Sequence, residues 1–166
     1  MHERRRIEDR DRDAIARFIE GHWHSKMVMS CGKCYYPHEL DGFISWRGDD
    51  IAGLLTMAYE DDALQVLTLN SVLEGERVGS SLMLMSIDDA RQRDIRRIWL
   101  TTTNDNVRAF AFYQKLGFRL IKVNMGVVDE ARKVKPQIPE IGYEGIPIHD
   151  ELVFELRVKG FLDSPL

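Results

Sequence analysis

The sequence predicts a mixed α/β fold, with antiparallel hairpins first, then strand, helix, strand, helix, strand, and a closing strand. Neighbouring β-α-β units would give one partly parallel sheet with helices on both faces. Three observations predict it. Between positions 42 and 69, β-type apolar runs are broken by Arg47-Gly48-Asp49-Asp50 and by Glu60-Asp61-Asp62. From Gly79 onward, two helical periods alternate with runs rich in β-branched residues. The last apolar segment, Glu151 to Val158, alternates, with Leu152, Phe154, Leu156 and Val158 on one side.

Each element follows from its residues. Ile7 belongs to a short first strand. Ile15, Phe18, Ile19 and His22 recur at helical spacing between Asp11 and His22, with Asp11 or Asp13 as N-cap. Ser25 to Glu39 holds Gly32 and Pro37 without a clean period and reads mostly as loop. Strands are expected over Gly42–Trp46, Ile51–Tyr59 and Ala63–Leu69. Gly79–Arg93 is a helix with Leu82, Met83, Ser86, Ile87 and Ala90 on one face, followed by a strand at Ile98–Thr103. Val107–Leu116 is a second helix, with Ala109, Phe112, Tyr113 and Leu116 inward, Lys115 in its last turn and Gly117 as its stop. Phe118–Val123 resumes as strand, and Asn124–Asp150, rich in Pro and Gly, is a long irregular connection.

The 166 residues fit a single domain spanning 1–166, with an ordinary 44% apolar and 30% charged content. A net charge of -4 gives no basis for nucleic-acid binding, and the arginines at 4, 5, 6, 10 and 12 are interleaved with Glu3, Glu8, Asp9 and Asp11. No apolar run reaches the length of a membrane span, and the polar start is unlike a signal peptide, so a cytoplasmic location is expected. Only Cys31 and Cys34 are present, which argues against a disulfide framework.

Two segments carry the chemistry. Glu74-Gly75-Glu76-Arg77-Val78-Gly79-Ser80 lies between a strand and a helix. The unpaired N–H groups of a helix N-terminus suit a phosphate, and Gly75 and Gly79 allow close backbone approach. Glycines at such a turn also serve the turn alone. The second segment is Asn104-Asp105-Asn106 followed by Val107 to Phe118. Asn106 reads equally as a helix cap, and Tyr113 equally as a core aromatic.

Taken together, the two segments resemble the GNAT acyltransferases. Asn106, Ala109, Phe112, Tyr113, Lys115, Gly117 and Phe118 match the family pattern Asn-x-x-Ala-x-x-Phe/Leu-Tyr-x-Lys-x-Gly-Phe. The family's pyrophosphate loop, Gln/Arg-x-x-Gly-x-Gly/Ala, falls upstream at the expected distance. Val78, Gly79 and Ser80 fit it, while Glu74 replaces Gln or Arg and Arg77 replaces Gly. The likeness runs from about Leu40 to Val123, and the Gly-Ile-Pro-Ile-His-Asp-Glu stretch with the last strand is similar to a bacterial subgroup of small members.

The resemblance implies an acetyl-CoA-dependent N-acetyltransferase in which a primary amine attacks the thioester directly. A backbone N–H at a bulge near Leu69 would stabilise the oxyanion. Pantetheine would pair with backbone from Leu69 to Ser71 like an added strand. Cofactor contacts would come from Leu69, Ser71, Glu74, Gly75, Arg77, Val78, Gly79, Ser80, Asn106 and Tyr113. Tyr113 would also give a proton to the departing thiolate. Related sequences carry a glutamate where this chain has Gln65, so no general base is assigned. Glu60, Asp61, Asp62 and His38 are near in sequence only, and a relayed water is the alternative.

His22, His24, Cys31, Cys34 and His38 could hold zinc tetrahedrally, but with one Cys-x-x-Cys pair in a loop-like segment no metal is expected. The resemblance also implies a small-molecule or peptide amine as acceptor, and a homodimer is compatible with the chain. The alternative is a non-catalytic acyl-CoA-binding or dimer-forming module, suggested by Arg77 and Gln65.

Overall fold

The computed structural model describes residues 3–72 and 75–159. Strand β1 (Glu3–Arg6) leads through a tight turn into α1 (Arg12–Trp23). A small hairpin, β2 (Val28–Ser30) and β3 (Lys33–Tyr35), precedes β4 (Asp41–Arg47), β5 (Asp50–Tyr59) and β6 (Ala63–Ser71). Helix α2 (Val78–Gln92), β7 (Arg97–Thr103), α3 (Val107–Lys115) and β8 (Arg119–Asn124) follow. The described chain closes with α4 (Val127–Val134) and β9 (Glu151–Arg157).

Among the described residues, the main sheet runs β1-β4-β5-β6-β7-β9-β8, with β2 and β3 forming a separate pair. Among these described strands, β6 and β7 are the one parallel pair. Adjacent residues on β4 and β5 face opposite ways, as alternation requires. Phe43 and Leu55 join the core under α2 and α3, while Ile44 and Leu54 join the core under α1. Helices therefore cover both faces. At Gly53 on β5, a Cβ would run into Val78 Cγ1 and come within 3.1 Å of Leu82 Cδ1, so glycine lets the start of α2 lie directly on the sheet.

The expected mixed architecture is present, with several differences in detail. The closing strand β9 lies antiparallel between β7 and β8, so those two are not neighbours. Burial explains the order: Phe154 at the centre of β9 is fully buried, whereas β8 is exposed along most of its length and suits an edge. The segment expected as loop contains the β2–β3 hairpin. Its two-residue turn, Cys31-Gly32, has positive φ at both positions (49° and 74°), the geometry that matches the twist of paired strands. The connection after β8 contains α4, whose single buried residue is Val128, too short an apolar face to show as a period.

Two polar residues of the first helix also differ. Asp11 does not cap α1 through its side chain. It takes two bonds from the Arg5 guanidinium (2.6 and 2.8 Å) and one from the Glu8 N–H (2.8 Å), which fixes β1 against the start of α1. His22 is exposed, and its Nδ1 lies 2.8 Å from the Phe18 carbonyl. Helix α3 ends as its sequence requires. Gly117, at φ 95°, sends its N–H to Gln114 O, and the Phe118 N–H reaches Tyr113 O, each at 3.0 Å.

Candidate active site

A split in the sheet makes the site. β6 and β7 pair from Ala63/Arg97 to Val66/Leu100 and then part. Beyond that point β6 stays with β5 as far as Gly53/Ser71, and β7 stays with β9 as far as Thr103/Glu151. The register of β5 on β6 skips Leu67, so a bulge lies near Leu69, as expected, and falls two residues before it. A bulge increases local twist, which accounts for the divergence beginning here.

The split opens into a cleft of about 610 Å3. Leu67, Leu69 and Asn70 line it from β6, and Thr101 to Thr103 line it from β7. The end of α1, the β2–β3 hairpin, α4 and the segment after it form the outer wall. Trp23 at the end of α1 donates from Nε1 to Asn70 Oδ1 at 3.3 Å, tying the mouth of the cleft to β6.

The sequence-predicted residues divide around this gap. Leu69 is half-buried on the cleft edge, and Ser71 is exposed where β6 ends. Glu74 lies outside the described residues. Gly75 is exposed, with a left-handed φ of 83°. Arg77 is also left-handed (φ 53°) as the N-cap of α2, and its side chain does not cap the helix. The position that the family fills with glycine therefore has the backbone conformation that favours glycine.

Val78 and Gly79 are buried and Ser80 half-buried in the first turn of α2. The first helical bond there runs from the Ser81 N–H to Arg77 O (3.0 Å), leaving the preceding N–H groups for an outside partner. This turn packs against both the β6 end and α3: a Cβ at Gly79 would sit 3.8 Å from Ser71 Cβ and from Phe112 Cζ.

Asn106 caps α3, accepting the Ala109 N–H at 3.1 Å, and lines the cleft. Tyr113 also lines the cleft, from the face covered by α2 and α3. Its ring lies 5.4 Å from Phe112 and 5.8 Å from both Phe118 and Phe154. No hydrogen bond to its hydroxyl forms among the described residues, and burial pushes its pKa up to about 12. Burial therefore favours the neutral phenol.

None of Glu60, Asp61, Asp62 and His38 lines the cleft. Glu60 to Asp62 form the turn before β6, at the strand end opposite the split, and Glu60 accepts the Trp99 indole N–H at 3.1 Å. Gln65 is buried in a polar chain. Its Oε1 accepts the Tyr35 hydroxyl (3.2 Å), its Nε2 donates to Ser30 Oγ (2.9 Å), and Ser30 Oγ lies 2.9 Å from Thr101 Oγ1. That chain seats the hairpin on β6 and β7, so Gln65 has a structural task.

Sequence reasoning missed the polar residues that close the other wall. Asp105 is buried, accepts the Thr103 hydroxyl, and accepts the Tyr143 N–H at 3.0 Å. A Cβ at Gly142 would overlap its carboxylate. Asn104 Oδ1 accepts the N–H groups of His149 and Asp150, each at 3.0 Å. Glu151 and Lys135 are buried and line the cleft. An Asn-Asp-Asn run before a helix was the available signal, but its partners lie about forty residues away in the chain.

Cys31 and Cys34 are free thiols, and burial together with the nearby Glu151 carboxylate raises the Cys31 pKa. Among the described residues, no three His, Cys, Asp or Glu side chains gather to hold a metal ion. Nor is any described helix long and apolar enough to cross a membrane.

The family model of the acetyltransferase (GNAT) family matches residues 8–118. The chain belongs to this family. It is 42% identical over 144 residues to the uncharacterised protein YxbD of Bacillus subtilis, covering 86% of this chain and 90% of that one. Its fold is that of the IAA acetyltransferase from Bacillus cereus, with a TM-score of 0.69, 15% identity, and 95% and 99% of the two chains covered. A Bacillus subtilis acetyltransferase solved in complex with CoA gives a TM-score of 0.66 at 17% identity, covering 96% of this GNAT chain and all 100% of its own.

Proposed function

We propose that this GNAT chain is an acetyl-CoA-dependent N-acetyltransferase acting on a primary amine by direct attack on the thioester. The split between β6 and β7, opening beside the uncapped first turn of α2, is the observation that carries this reading. Backbone groups of β6 past Val66 have lost β7 as a partner and are available to an extended pantetheine arm. The N–H groups of Val78, Gly79 and Ser80 would receive the pyrophosphate, with Gly75 and Arg77 shaping the turn and Asn106 reached from α3.

The thioester carbonyl would take a hydrogen bond from β6 backbone near Leu69, just past the bulge, where a preorganised donor stabilises the oxyanion. Tyr113 would protonate the thiolate as it leaves. A thiol with an ordinary pKa of about 8.5 is a fair leaving group, so this acid helps without being essential.

Acetyl-CoA binding tests the cofactor half of the reading. Millimolar acetyl-CoA should raise the melting temperature by mass action, and CoA should compete. A correctly folded protein with an unmoved transition would remove the cofactor site.

A further inference from the structure

The cleft contains two buried side chains of opposite charge that do not pair with each other or with any other ion among the described residues. Glu151, at the start of β9, accepts the Cys31 N–H (3.1 and 3.3 Å to its two oxygens) and Asn124 Nδ2 (3.3 Å). It is 7% exposed, and Lys135, just beyond α4, is 4% exposed. Lys135 Nζ donates to the Met27 carbonyl at 2.7 Å, and burial lowers the pKa of its ammonium. That one bond leaves two ammonium hydrogens without an acceptor among the described residues.

Both residues anchor the hairpin, Glu151 at its turn and Lys135 just before its first strand. Anchoring alone does not explain the charges. An amide at either place would make the same bond with far less desolvation cost, since a buried ion without a counter-ion is among the costliest groups in a protein. A ligand carrying both complementary charges removes the cost at both ends.

The strand register adds direction. Glu151 stands opposite Thr103, and Thr101, two residues earlier on β7, bonds the hairpin's Ser30. Glu151 therefore shares the hairpin face, whereas Tyr113 approaches from the face of α2 and α3.

We propose that the acceptor is a primary amine that itself bears a carboxylate, its ammonium received by Glu151 and its carboxylate by Lys135. This rests on the N-acetyltransferase reading and names its substrate class. Glu151 takes one proton from the ammonium, and the freed nitrogen lone pair forms the C–N bond to the thioester carbon. The C–S bond breaks with its electron pair on the CoA sulfur. The sulfur gains a proton from Tyr113, which the second nitrogen proton replaces through solvent. The products are an acetamide and the CoA thiol, and Glu151 releases its proton to water.

The test is free-thiol release from acetyl-CoA with three matched sets: free amino acids, their carboxamides, and the corresponding simple amines. An amino acid should exceed its carboxamide by about 10- to 100-fold in kcat/KM, the range for a charge-assisted bond. Lys135→Gln keeps a donor for the Met27 carbonyl but loses the charge. It should erase that preference through KM, while Lys135→Arg keeps most of it. Glu151→Gln should lower kcat for acids and amides alike.

Carboxamides or simple amines turned over as well as the acids, or a preference that survives Lys135→Gln, would overturn the inference. If acetyl-CoA binds but no amine releases thiol, the N-acetyltransferase reading fails instead. Melting of the CoA-saturated protein then decides the ligand: stabilisation by amino acids that is lost in Lys135→Gln supports it, and none overturns it.

Discussion

The two sides of the split sheet are held together by different physics. Under α2 and α3 the contacts are apolar and dense. Leu82, Met83, Leu100 and Phe154 are essentially inaccessible, and the Phe110 and Tyr113 rings lie 5.6 and 5.8 Å from Phe154. On the other side, past the smaller apolar core under α1 that takes in Val28, the hairpin, α4 and the segment from 137 to 150 are tied down largely by individual polar bonds. Cys31 is held by Glu151, Met27 by Lys135, Tyr143 by Asp105, and His149 by Asn104.

Apolar packing deforms only at the cost of cavities, whereas a few hydrogen bonds can exchange with water one at a time. The first kind of wall suits a cosubstrate that is the same in every turnover. The second suits an acceptor that must enter and leave.

Breaking the packed side should cost most. Phe154→Ala removes a fully buried ring and should destabilise the protein by about 3–5 kcal/mol, read as a lower midpoint in urea unfolding. A loss under about 1 kcal/mol would show that the two sides do not differ as described.

Tyr113→Phe keeps the ring and removes the hydroxyl proposed as the proton donor. Turnover should fall toward the low end of the ~10²–10⁴-fold range for general acid catalysis, with acetyl-CoA affinity largely spared. The same variant sharpens the alkaline limit of stability. An unfolded tyrosine ionises near 10 and buried Tyr113 at about 12, so the folded protein holds the proton longer. Stability from this group is intact below pH 10, falls as pH rises toward 12, and is lost above it. Tyr113→Phe should flatten that part of the urea-midpoint profile, and an unchanged slope would place the ionisation elsewhere.

Asp105→Ala cuts one polar tether and leaves the Tyr143 N–H without its acceptor. It should cost about 1–3 kcal/mol, the range for an unsatisfied buried group, and raise the acceptor KM while sparing acetyl-CoA affinity. A loss of CoA binding instead would show that the two walls are not separable.

The smallest effect belongs to Arg77→Gly. Relief of the left-handed backbone is worth about 1–2 kcal/mol, offset by about 0.4–1 kcal/mol of unfolded-chain entropy, so stability should rise by at most about 1.6 kcal/mol. If the guanidinium meets phosphate, acetyl-CoA affinity should fall and become less sensitive to salt. Unchanged affinity and salt response would leave Arg77 as a turn residue only.

The packed side was legible in the sequence because its rules are local. The period Ala109, Phe112, Tyr113, Leu116, the Gly117 stop and the glycine turn before α2 all lie within a few residues of what they determine. The polar side is written in pairs far apart in the chain. Cys31 and Glu151 are separated by 120 residues, Met27 and Lys135 by 108, and neither pair leaves a period or a motif. The hairpin strands are three residues each, joined by Cys-Gly rather than Asn-Gly, and α4 buries only Val128. The sequence points to a bulge near Leu69 but not to Leu67 itself, because register depends on β5, which the residues of β6 do not reveal. The same long-range placement hid Glu151 and Lys135, the two residues that now bear on the acceptor.

The measurement that bears most directly on the account is release of free thiol from acetyl-CoA by the wild-type protein, followed alongside the acetylated product by mass spectrometry. Release should depend on added amine and match acetamide formed mole for mole. Saturable acetyl-CoA binding with thiol released no faster than without amine would contradict it, and would leave the cleft as a binding site without chemistry.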